Sequence, residues 1–79
     1  MDYIEVLDEN NNSNKMEVVC TFKLKNYDYN YIIYRELDKS HYYLAKYLDD
    51  KDDLITDFDD KEFEEATKVF EEVTNETRN

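Results

Sequence analysis

The clearest pattern in the chain is a strict alternation over residues 15–25. Met16, Val18, Cys20, Phe22 and Leu24 alternate with Lys15, Glu17, Val19, Thr21, Lys23 and Lys25. Successive strand side chains point to opposite faces, so this spacing predicts a half-buried antiparallel strand with one apolar face. Residues 3–7 predict an earlier strand, and DENNNSN at 8–14 reads as a loop of turn formers. KNYD at 25–28 turns the chain into a third strand over 29–36. Tyr29, Tyr31 and Ile33 fall on one of its faces, Ile32 and Tyr34 on the other. After LDKS at 37–40, a fourth strand is expected over 41–48. Tyr42, Leu44 and Leu48 share one face there, and Tyr43, Ala45 and Tyr47 the other. Neither of these two strands has a plainly polar face. Aromatic residues suit a pleated surface and gain from cross-strand pairing, so the tyrosines of this region read as sheet residues.

Residues 49–53, DDKDD, read as an exposed loop, and LITDF at 54–58 as a short connection with room for a fifth edge strand at 54–57. The period then changes. Phe63, Ala66, Val69, Phe70 and Val73 fall within an arc of about 120°, the apolar stripe of an amphipathic helix over about 60–75. Asp59 is placed as its N-cap, and Glu62, three residues on, completes a capping-box pattern. Glu64 and Lys68 stand at i,i+4.

Together these elements predict one small α+β domain over residues 1–79. It is an antiparallel meander of four strands, five if 54–57 joins, with a C-terminal amphipathic helix on one face. The expected core is Ile4, Val6, Val18, Cys20, Phe22, Leu24, Ile33, Leu44, Phe63, Phe70 and Val73. The pattern leaves open which face the helix covers.

Composition narrows the chemistry. The chain has no glycine and no proline. Phosphate-cradling loops need glycine for their left-handed turns and close backbone approach, so P-loop and dinucleotide fingerprints are excluded. Turns must rely on Asn and Asp. Net charge is −11, and it is uneven: residues 49–79 hold thirteen acidic and four basic side chains, net −9. Nucleic-acid affinity comes largely from basic contacts to phosphate, so this balance argues against direct nucleic-acid binding. No apolar run approaches the ~20 residues of a membrane-spanning helix. The acidic start, MDYIEVLDEN, has no apolar signal-peptide region. One cysteine permits no intrachain disulfide, and the expected setting is cytoplasmic.

No residue pattern points to catalysis, a cofactor or a metal. His41 is the only histidine, and its neighbour Ser40 does not imply a triad; a surface position is expected. Cys20 reads as a small core residue. Asp8, Asn10 and Asn12 fit the first three ligand positions of a calcium loop. Ser13 then stands where glycine belongs, and Val19 where the bidentate Glu belongs. The run Asp49, Asp50, Asp52 and Asp53 reads as solvated.

VVCTFKLKNYDYNYIIY, followed by YYLAKY and DDKEFEEATKVFEEV, resembles the YrzB-like family of small acidic bacterial domains of unknown function. The marks fall on Thr21, Phe22, Leu24, Tyr31, Ile32, Ile33, Asp60, Phe63, Glu64, Val69, Phe70 and Glu71, and the likeness spans about residues 3–73. It implies the same strand–strand–helix order and brings no activity, cofactor or catalytic residue. Family members carry glycines in their turns, which this chain lacks.

The functional expectation is a non-catalytic module that binds a protein. One candidate surface is a tyrosine-bearing sheet face (Tyr29, Tyr31, Tyr34, Tyr43 and Tyr47) that meets a partner or a second copy, since Tyr is enriched at interfaces. The other is the acidic helix face (Glu64, Glu65, Glu71 and Glu72), whose spaced carboxylates imitate phosphates to a basic nucleic-acid-binding protein, as a phage-type antagonist would. An acid-rich metal buffer is a third reading.

Overall fold

The computed structural model describes residues 2–37, 41–51 and 53–77. Four strands, β1 (Tyr3–Leu7), β2 (Ser13–Lys23), β3 (Asn30–Glu36) and β4 (Tyr42–Tyr47), precede one helix, α1 (Asp60–Thr77). Each strand pairs antiparallel with the next, in the order β1-β2-β3-β4. This is the α+β meander that the periodicity predicts. The expected fifth strand is reduced to one bridge, in which Lys46 and Ile55 exchange backbone hydrogen bonds of 2.9 and 2.8 Å. Residues 38–40 of the expected 37–40 turn, and Asp52 of the acidic run, lie outside the described residues.

The β1–β2 connection shows how the chain turns without glycine. Asn11 takes a left-handed φ of 62°. Its N–H donates to the Asp8 carbonyl, and Asp8 N–H donates to the Asn12 carbonyl. Three-residue hairpin loops need such a left-handed residue, usually glycine, and Asn tolerates the position best among the others. The Asp8 carboxylate accepts the N–H groups of Asn10 and Asn12, both at 2.9 Å. These bonds, that from Asn12 foremost, hold the Asp8 carboxyl below its ordinary range.

The long alternation of β2 does not form one face. Val18 stands opposite Tyr34 and Cys20 opposite Ile33, so Val19 is an extra residue and the strand bulges there. A one-residue slip exchanges faces. Met16 and Val18 therefore pack with Ile32, Tyr34 and Ala45, whereas Phe22 stacks on Tyr31 at 5.4 Å. The expected single apolar face of Met16, Val18, Cys20, Phe22 and Leu24 is corrected to two half-faces.

Helix α1 covers the face that carries Tyr31 and Ile33, both fully buried. The helix buries Glu62, Ala66 and Thr74, with Val69, Phe70 and Val73 half-buried. Phe63, expected in the core, is 55% exposed and meets Phe58 edge-on at 6.0 Å. The cause is Glu62. It is drawn to the centre of the covered face, and the next residue of a helix stands about 100° further round. Tyr31, Ile32, Tyr34, Ala45 and Ala66 join the core beyond the expected set.

Candidate functional site

On the helix side the polar centre is a buried hub of three elements. Lys46 of β4 gives its ammonium to both oxygens of Glu62, at 2.8 and 3.0 Å. The Tyr31 hydroxyl, from β3, donates to Glu62 Oε2 at 2.6 Å. Asp59 N–H donates to Glu62 Oε1, and Glu62 N–H donates back to Asp59 Oδ1 at 2.7 Å. The capping box read from sequence is thus present, and its glutamate also anchors the helix to the sheet. The ammonium of Lys46 also lies over the rings of Tyr29 and Phe58, at 4.1 and 5.0 Å from their centroids.

Burial alone would raise the Glu62 carboxyl. The hydrogen bonds from Lys46, Tyr31 and Asp59 outweigh it and leave the group below its ordinary value. Burial, and then the bond to Glu62, push the Tyr31 phenol well above its usual range. The Lys46 ammonium, the Tyr31 hydroxyl and both Glu62 oxygens are engaged with one another, so the hub holds an ion pair in place.

Among the described residues no helix lies over the opposite face. Ile32, Tyr34 and Ala45 form its floor, with Ile4, Val6, Met16, Val18, Tyr47 and Leu54 packed around them. Tyr43 stacks on Tyr34 at 5.5 Å and donates to Glu36 Oε1 at 2.8 Å. Two open grooves lie on this face. One, of about 550 Å³, is lined by Val6, Leu7, Met16, Tyr34, Leu37 and Tyr43 among others. The second, of about 430 Å³, is lined by Ile4, Ile32, Tyr47 and Leu54 with Glu5, Asp49 and Lys51.

The candidate tyrosines divide between the faces. Tyr31 is sealed under the helix, and half-buried Tyr29 lies against Lys46, so neither belongs to an open surface. Tyr34 is floor of the open face, Tyr47 is half-buried at its side, and Tyr43 is 38% exposed. The acidic set divides too. Glu64, Glu71 and Glu72 are exposed, with Glu64 3.8 Å from Lys68. Glu65 is half-buried, and one of its carboxylate oxygens has no partner. Lys46 escaped the sequence reading. The signal was its parity with Tyr42 and Leu44 on a strand that has no polar face.

The remaining candidates carry little chemistry. His41 is exposed. Cys20 is half-buried, and burial raises its thiol, which keeps it protonated and unreactive. The Asp8 carboxylate that suggested a calcium ligand serves its own turn. Among the described residues no group of three or more His, Cys, Asp or Glu could hold a metal ion. None of the described helical residues forms a span long and apolar enough to cross a membrane. No protein-family model, no curated protein and no solved structure matches the chain.

Proposed function

We propose that this chain is a non-catalytic protein-interaction module that binds through the open face of its sheet. The observation that carries the reading is the two-groove face, floored by Ile32 and Tyr34, rimmed by Tyr43 and Leu37, and without a helix over it among the described residues. Exposed apolar area grouped around aromatic residues is a mark of binding surfaces. The likeness to YrzB-like domains is in keeping with a small bacterial module of this kind. A protonated, half-buried Cys20 suits a reducing cytoplasm.

The second reading, an acidic mimic that engages a basic nucleic-acid-binding protein, draws support from Glu64, Glu71 and Glu72, which all point outward from one helix. A pull-down from host lysate separates the two. Tyr43→Ala should release the partner of an open-face module, while reversal of the three glutamates to lysine should not. Retention in high salt favours the apolar face, since exposed charge contacts are screened. A partner lost only with the glutamates would replace the first reading by the second.

A further inference from the structure

The floor of the open face offers side chains and no backbone. Ile32 and Tyr34 rise from β3, an inner strand that pairs with β2 on one side and β4 on the other. An extended segment laid on this floor would bury its own N–H and C=O groups unpaired, at a cost of about 1–3 kcal/mol each. A helix bonds its backbone within itself and avoids that cost. Helices cover sheet faces in α+β folds for this reason, as α1 does on the other side of this sheet.

The two grooves are offset along the strands. Val6 and Tyr34 line the larger, and Ile4 and Ile32, each two residues earlier, line the smaller. Two strand residues span about 7 Å, and the four from Tyr43 to Tyr47 about 13 Å. Helix positions i and i+7 lie about 10 Å apart, between these values. Leu7, Leu37 and Tyr43, which are 65%, 39% and 38% exposed, all line the larger groove.

The rims are acidic. Asp8, just past the end of β1, lines the larger groove, and Asp49, just past β4, lines the smaller. β1 and β4 are opposite edges of the sheet and run antiparallel, so these two exposed carboxylates stand at diagonal corners. Lys15 also lines the larger groove, but its ammonium lies over the Tyr3 ring, 4.5 Å from the centroid. In the smaller groove Glu5 joins Asp49 beside Lys51.

We propose that the open face seats a basic amphipathic helix of a partner protein, laid along the diagonal from Asp8 to Asp49. Apolar side chains at i and i+7 enter the two grooves, and a Lys or Arg near each end meets the corner carboxylates. This names the occupant of the open face and so rests on that reading. A helix of 18 residues, the length of α1, is about 27 Å long and fits within the 34 Å extent of the molecule. A second copy of this chain does not suit the face. Its helix already turns Ala66 and Val69 to its own sheet and shows Glu64, Glu71 and Glu72 outward, on a molecule of net charge −11.

The test uses a synthetic peptide with leucines at helical spacing and lysines along both flanks. Its controls are the same peptide with glutamate for lysine, and a scrambled peptide of the same composition. Binding is followed by fluorescence anisotropy, peptide helicity by circular dichroism, and the contact surface by NMR amide shifts. The lysine peptide should bind, gain helix, and shift the amides of Ile32, Tyr34 and Tyr43. Asp8→Asn with Asp49→Asn removes both charges and keeps a side-chain oxygen to accept the local hydrogen bonds. It should weaken the lysine peptide about tenfold, the scale of two exposed charge pairs, and leave the melting curve in place. No binding, equal binding of either control, binding without a gain of helix, or shifts confined to the outer side of α1 would each overturn the proposal. The open-face reading is judged separately, on the lysate partner. A partner that Tyr43→Ala releases and the lysine peptide cannot displace would overturn the helix and leave that reading standing. A partner indifferent to Tyr43→Ala would overturn both.

Discussion

On one face of the sheet Ile33 is fully buried beneath a helix, while Ile32, the preceding residue of the same strand, is 4% exposed on a face that no helix covers among the described residues. The helix side is closed by a separate element, held in one orientation by the ion pair of Lys46 and Glu62. The open side is closed by the sheet's own side chains and Leu54. A directional anchor fixes one arrangement, because hydrogen-bonded charges lose heavily when either partner moves. Apolar contact is non-directional and leaves a rim, here Tyr43, Leu37 and Leu7, with surface still to bury.

The largest effect should come from breaking the anchor. Glu62→Ala leaves the Lys46 ammonium buried without its partner and removes half of the capping box, a loss of about 3–5 kcal/mol for a buried pair. Urea denaturation should show it, and the double variant Lys46→Met with Glu62→Leu should recover part. An equally damaging double change would mean that the pair is not what sets the helix. The same residue shapes the acid limb. Its folded carboxyl lies below the ordinary value of 4.5, so the unfolded chain takes up the proton more readily. That stability is present above the unfolded value and is lost as pH falls through the folded one. Glu62→Gln should flatten this part of the pH profile. An unchanged acid limb would assign it to other carboxylates.

The next test compares the two isoleucines directly. Ile33→Ala and Ile32→Ala should each cost about 2–5 kcal/mol, the range for large-to-small changes at buried sites. A much smaller loss at Ile32 would mean that the open face is wetter than its burial implies. On the helix, half-buried Phe70→Ala should cost about 3 kcal/mol. Exposed Phe63→Ala should cost about 1 kcal/mol, mostly its contact with Phe58. Melting curves that rank the two in the opposite order would turn the helix back to the orientation its apolar stripe suggests. The smallest effect belongs to Glu64→Ala, within about 0.5 kcal/mol and erased by salt, as for exposed i,i+4 pairs.

Sequence by itself determined the elements. Alternation marked β2, aromatic and aliphatic runs marked β3 and β4, and the change of period with Asp59 and Glu62 marked the helix and its cap. The absence of glycine forecast Asn and Asp in the turns, and Asn11 carries the left-handed residue. These signals are local, because backbone geometry repeats every two or 3.6 residues. Tertiary structure decided how the faces are shared. The bulge at Val19 moved Met16 and Val18 away from Phe22, and a slip of one residue has no signature in the alternation itself. Burial of Glu62 with Lys46 and Tyr31 turned the helix and left Phe63 outside. A charge enters a core only when its partners are assembled there, and these three residues lie on separate elements whose meeting no local pattern records.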